Sequence, residues 1–261
     1  MTWFEALILG LVQGLTEFLP VSSSGHLEIG KVLLNVEIQK NLTFTILVHF
    51  ATVLSTITVF FKDIKKLSTG LLAFRWNEET KYVSKILVSM IPVLFVGVFF
   101  REELEALFSG NLVLVGSALL VTAALLISTQ LVKAGSRKIP FLDAFLMGIA
   151  QAIATIPGIS RSGATISAGL LMKNGRSEVA RFSFLMVLLP IIGATFLDIL
   201  SISSSPEVGG IPAGSLVIGF FAAFLSGYLA CTWMINLVKK GNLYWFAIYC
   251  AIVGIVSIIF A

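Results

Sequence analysis

Charge is what this 261-residue chain lacks most: only 12% of its residues are Asp, Glu, Lys or Arg, against 57% hydrophobic ones. A soluble chain carries about 25% charged residues, so most of the surface must face something other than water, which excludes a soluble globular domain. Cysteine is almost missing as well. Cys231 and Cys250 lie inside apolar stretches with no CxxC pattern or neighbouring histidine, so they read as small packing hydrophobes, without redox or zinc chemistry. There is no basic cluster on one face to match the formal charge of +4; the lysines and arginines are scattered between apolar runs, which argues against nucleic acid as a partner. A cleaved signal peptide is not expected either, because Glu5, Gln13 and Glu17 interrupt the first apolar stretch and no basic segment precedes it.

What the chain has instead is apolar length. About 20 apolar residues span a hydrocarbon core of about 30 Å, and 261 residues accommodate several such segments but no separate soluble domain. The expected fold is an all-α polytopic membrane protein built from an internal repeat. An ungapped offset of 138 places Gly10 on Gly148, Gln13 on Gln151, Ser22 on Ser160, Ser24 on Ser162 and Gly25 on Gly163, and it continues to Phe44 on Phe182. The pattern reads as a duplication, with residues 1–138 and 139–261 as the two halves.

Each half has the same order. The first gives apolar segments at about 3–19, 23–36, 42–61, 84–100 and 112–132, and the second at about 141–156, 161–174, 178–200, 211–236 and 242–260. The first two segments of each half are short and are joined by LPVSSSG or IPGISRSG, which break a helix and expose backbone polar groups. In lipid, such backbone is tolerated only where protein or a polar cavity surrounds it. The pairs at about 3–36 and 141–174 are therefore expected to be re-entrant hairpins whose tips meet. Three full spans per half is an odd number, so the halves should be inverted in topology. The basic loops at 62–85, 133–138 and 239–240 are then cytoplasmic, the acidic or neutral ones at 101–105 and 201–210 are outside, and both termini are outside.

Charges inside apolar segments are functional candidates by default. Those singled out are Glu17 and Arg161, with His26 as a titratable companion, all in or beside the two tips. If the tips converge, these three share a pocket with the hydroxyls of Ser22, Ser23, Ser24, Ser160, Ser162 and Thr165. Glycine-rich turns that open helices leave free N–H groups suited to phosphate, and arginine adds a permanently charged fork. Glu17 would repel such an anion unless it is paired, protonated or metal-bound, so acid–base work or metal binding is its expected task. A serine near a histidine and a carboxylate also supplies the parts of an activated nucleophile. The same serines and glycines also suit plain helix packing. Gln13 is read as lining the pocket, His49 as a packing histidine, and Asp143, Asp198, Glu178 and Arg181 as charges solvated near segment ends.

QGLTEFLPVSSSGH (Gln13 to His26) and PGISRSGAT (Pro157 to Thr165) resemble the two signature stretches of the undecaprenyl pyrophosphate phosphatases, also called bacitracin-resistance proteins. Chain length, span count and the repeat extend that resemblance over essentially the whole sequence. It implies removal of the terminal phosphate from undecaprenyl pyrophosphate in the bacterial plasma membrane, which recycles the lipid carrier of cell-wall synthesis. It further implies Glu17, Ser23, His26 and Arg161 as catalytic residues, with Ser23 as nucleophile and His26 or Glu17 taking its proton, or water attacking directly. Gln13, Ser22, Ser24, Ser160, Ser162 and Thr165 are the implied substrate-binding residues. A divalent cation, Mg²⁺ or Ca²⁺, is also implied; Glu17 is the one convincing ligand, because Gln13 stands where a second carboxylate occurs in other members, so the ion would be held mainly by the substrate phosphates. The expected partners are a polyprenyl pyrophosphate lipid and the bilayer, with a homodimer left open. The rival reading is a secondary transporter or flippase for an anionic or lipid-phosphate substrate, since inverted repeats with broken helices also build transporters.

Overall fold

The computed structural model describes residues 1–33, 42–107, 110–133, 135–204 and 211–261, without the side chains of 31, 42, 105, 194, 195 and 197–204. The described residues are all-helical, in the order α1 (Trp3–Phe18), α2 (Ser23–Leu33), α3 (Leu42–Val59), α4 (Phe61–Leu71), α5 (Glu78–Phe99), α6 (Arg101–Leu107), α7 (Leu112–Ser128), α8 (Phe141–Ile153), α9 (Arg161–Leu171), α10 (Arg176–Ser204), α11 (Ala213–Lys240) and α12 (Tyr244–Ile259). Local chemistry sets several of the ends. Thr2 and Glu5 form a reciprocal capping box on α1. Asn77 caps α5 by accepting from the Thr80 N–H at 2.7 Å, and Asn111 caps α7 in the same way from Leu114 at 3.0 Å. Gly241, at φ +77°, ends α11 in a conformation that L side chains rarely adopt.

α5, α7 with its 3-10 extension to Leu131, and α11 are each long and apolar enough to cross a membrane. α12 is apolar but only 16 residues long. The expected segment at 42–61 is α3, and at its end, at Phe60, the chain bends by 76° into α4. The stretch 62–85, read as a loop, therefore contains an amphipathic helix and the first turns of α5. Its lysines suggested a solvated loop, but Ile64, Leu67 and Leu71 recur at helical spacing and Leu67 is buried. The acidic stretch at 101–105 is likewise helical, in α6. α9 stops at Leu171, short of 174, and α5 starts at 78, ahead of 84. The end of the second segment at 36 and most of the 201–210 loop lie outside the described residues.

Small residues let the helices approach closely. On α1, a Cβ added at Gly10 or Gly14 would collide with the backbone of α11 around Gly219, Ala223 and Gly227. α8 meets α5 in the same manner, with Gly148 against the backbone of Ser89. α7 and α12 touch through Gly116 and Gly254, each facing the other's carbonyl oxygen. The two short hairpins, α1–α2 and α8–α9, are held between these packed helices with their turns toward each other.

Candidate active site at the two hairpin tips

Each tip is a turn that delivers a helix N-terminus. In the first, α1 ends at Phe18, Pro20 removes a backbone donor, and Ser22 takes a left-handed φ of +69° before α2 begins at Ser23. For a residue with a Cβ that conformation is strained. The Ser22 hydroxyl accepts from the Gly25 N–H at 3.3 Å and lies 3.3 Å from Ser24 Oγ. In the second tip, Gly158 supplies the left-handed turn at φ +96°, and Ser160 caps α9 by accepting from the Gly163 N–H at 3.0 Å, with Ser162 Oγ 3.2 Å away. Thr122 of α7 braces this turn, donating to the Gly158 carbonyl at 3.1 Å and accepting from the Ser160 N–H at 3.0 Å.

The tips touch. Ser162 Oγ donates to the Leu19 carbonyl at 3.2 Å, and a Cβ on Gly25 would lie 3.0 Å from the Gly158 Cα. At the junction stands Glu17, whose side chain is only 5% exposed. One carboxylate oxygen accepts from Arg161 Nη2 at 2.8 Å; the other accepts from Ser23 Oγ at 2.5 Å and from Gln13 Nε2 at 3.0 Å. A carboxylate this buried is tolerable only with such partners. Arg161 stays 27% exposed and, with Ser24 and Thr155, lines a cavity of about 330 Å³. The arrangement unites a serine hydroxyl on a carboxylate, a guanidinium facing open space and two converging helix N-termini. These are the elements needed to hold a phosphate group and attack it.

Sequence comparison places the chain in a family. The family described as Bacitracin resistance protein BacA matches residues 6–256. This chain belongs to that family. Among its relatives, proteins named undecaprenyl-diphosphatase from Parabacteroides distasonis and Bacteroides fragilis are each 55% identical over 99% of this chain and 98% of their own length. One of the same name from Carboxydothermus hydrogenoformans is 37% identical over 99% of the chain and 97% of its own.

Not every residue singled out in this BacA-family sequence meets Glu17. Gln13, Glu17, Ser23 and Arg161 form one hydrogen-bonded group, and Ser24 joins Arg161 on the cavity wall. Ser22, Ser160 and Ser162 bond mainly to the turns themselves. Thr165, one turn into α9, donates to the Arg161 carbonyl at 2.8 Å and is in close contact with the Ser183 hydroxyl of α10. His26 engages neither Ser23 nor Glu17. Its Nδ1 is 2.8 Å from the Ser22 carbonyl oxygen, its Nε2 is 2.8 Å from Tyr249 Oη, and the two rings stack at 5.5 Å.

Three readings of charged residues change. His49 is not only packed against its neighbours: it lines the cavity with Arg161, its Nδ1 2.8 Å from the Thr45 carbonyl oxygen. Asp143 is not solvated but 6% exposed, bonded by Arg137 Nη2 at 2.6 Å and Asn174 Nδ2 at 2.7 Å. Arg181 pairs with Asp63 at 2.7 Å across to α4. The side chain of Asp198 is outside the described set. Sequence reasoning missed Glu28, a buried carboxylate on the cavity wall, along with Tyr249 and Thr122. The available signal for Glu28 was a charge two residues past the motif histidine.

A protein-held divalent ion does not fit Glu17. Both of its oxygens are occupied by donors, and no group of three or more His, Cys, Asp or Glu residues is arranged for a metal among the described residues.

Proposed function

We propose that the joined tips are the active site of an undecaprenyl-diphosphatase. This BacA-family membrane phosphatase acts on undecaprenyl diphosphate; its relatives carry that enzyme's name along their full length, which leaves the transporter reading without support. The observation that carries the site assignment is the 2.5 Å hydrogen bond from Ser23 to Glu17, with Arg161 on the opposite oxygen.

In the proposed reaction the terminal phosphate enters the cavity beside Arg161, and the isoprenoid tail stays among the helices. Ser23 Oγ attacks phosphorus while its proton passes to Glu17. The bond from phosphorus to the bridging oxygen breaks, and its electron pair leaves on undecaprenyl phosphate. Water then cleaves the phosphoserine ester, releasing inorganic phosphate. Arg161 and the N-termini of α2 and α9 neutralise the charge on the transferred group. His26 acts through the Ser22 carbonyl, holding the strained turn that presents Ser23. Mg²⁺ or Ca²⁺ would arrive on the diphosphate, held by its oxygens and water.

The offset of 138 between contacting positions such as Gly116 and Gly254 supports an inverted repeat with its axis between α7 and α12. Leu104 of α6 borders the cavity, and the lysines gather at the other end of α5. That supports a pocket opening to the outer face of the plasma membrane, with both termini on that side. The deciding experiment is phosphate release by purified Ser23→Ala. Loss of about 10³-fold or more is expected for a nucleophile; near-full turnover would leave direct attack by water.

A further inference from the structure

A second and larger cavity, of about 650 Å³, lies at the N-terminal end of α5. Its lining residues on α5 occupy the first two turns of that 22-residue helix, whereas the active-site cavity is bordered by α6, which follows the helix's other end. At 1.5 Å per residue α5 is about 33 Å long, close to the thickness of a membrane's hydrocarbon core.

We propose that this cleft binds the phosphate of an anionic lipid headgroup from the adjacent leaflet. Its lining carries five basic side chains, Lys66, Lys81, Lys85, Lys138 and Arg181, against three acidic ones. Lys66, Lys81 and Lys138 share the two carboxylates Glu78 and Glu79, at 3.5, 3.3 and 3.0 Å. Lys85 has no carboxylate partner among the described residues and sits 5.6 Å over the Phe141 ring. Two buried polar atoms of residues lining the cleft, Tyr82 Oη and Arg181 Nε, have no hydrogen-bond partner among the described residues. A buried donor left so is costly, and a turn of either side chain toward the cleft would let it donate to a phosphate oxygen.

The rim argues for a lipid as the source of that phosphate. α4 runs sharply off the axis of α3, and from its end the exposed side chains are Leu71, Leu72, Phe74 and Trp76, with Trp76 also lining the cleft. An amphipathic helix with lysines on one side and an aromatic rim beside them suits the headgroup boundary, where acyl chains meet the rim and phosphates meet the lysines.

The test is lipid retention by the purified protein in a zwitterionic detergent, titrated with phosphatidylglycerol or phosphatidylcholine and read by native mass spectrometry. The wild type should prefer phosphatidylglycerol. Lys85→Ala/Lys138→Ala should lower that preference by about fivefold per lysine, roughly 25-fold in all. Phosphate release from polyprenyl diphosphate should be unchanged in this variant, which also certifies its fold. Lys62→Ala/Lys65→Ala, on α4 but outside the cleft, should keep most of the preference. Equal retention of both lipids, or an equal loss in the two double variants, would overturn the proposal. So would displacement by inorganic phosphate as effective as by the lipid, which would make the cleft a site for the free anion.

Discussion

The two tips share a plan and differ in their chemistry. At the offset of 138, Ser23 and Arg161 are the same position, the first residue of the helix that leaves the turn. Both reach Glu17, one on each carboxylate oxygen. The counterpart of Glu17 is Thr155, and that of His26 is Ala164. Gln13 donates to Glu17, whereas both side-chain polar atoms of its counterpart, Gln151, are buried without a partner. In the proposed reaction one tip thus carries the nucleophile and base and the other carries the fixed positive charge. The proposed repeat accounts for the meeting of the two groups: a hairpin that brings its turn to the centre does so twice. Divergence at one position then places opposite functions across a single carboxylate.

The largest expected effect breaks that meeting point. Arg161→Ala removes the charge facing the phosphate and strands the Glu17 carboxylate. Loss of one such stabilising group costs about 10²–10³ in turnover, and an abandoned buried charge costs about 3–5 kcal/mol of stability. Glu17→Ala should abolish phosphate release as well. The double variant sharpens the comparison: removing both charges should restore thermal stability toward wild type while turnover stays lost. A double variant as unstable as Arg161→Ala alone would show that the pair is not what the two tips hold in common.

A smaller effect concerns how each turn is made. Gly158 combines φ +96° with a Cβ position blocked by the Val115 carbonyl and Ala118, while Gly25 has the steric problem alone. Overpacking costs about 1–3 kcal/mol, and a left-handed alanine about 1–2 kcal/mol more. Gly158→Ala should therefore lower the melting temperature in detergent further than Gly25→Ala. The reverse order would mean that the first tip, with its strained Ser22, is the less forgiving one.

Much of this was legible in the sequence, for a physical reason. Glu17 and Arg161 stood out because charge in an apolar segment is expensive, and the repeat tied their surroundings together. The same logic was blind where the repeat is silent. Glu28 corresponds to Ile166 and His49 to Val187, so neither had a polar echo. α4 was hidden because its lysines outweighed the spacing of Ile64, Leu67 and Leu71. The bracing of each tip by a distant helix, Thr122 for one and Tyr249 for the other, depends on contacts that no local pattern encodes.

Those braces give the smallest predicted effect. With Nδ1–H donated to the Ser22 carbonyl, His26 must accept at Nε2, so the Tyr249 hydroxyl is the donor there. Tyr249→Phe keeps the stacked ring and deletes that one hydrogen bond, at a cost of about 1 kcal/mol. With His26 holding the turn rather than the nucleophile, as proposed, phosphate release should fall by less than about tenfold, the equivalent of 1.4 kcal/mol. A drop of the size expected for Ser23→Ala would mean that His26 leaves Ser22 and acts on the substrate once it is bound. The first tip would then carry two reacting groups besides Glu17, and its unlikeness to the second, where Ala164 offers nothing of the kind, would extend from the nucleophile to the proton it gives up.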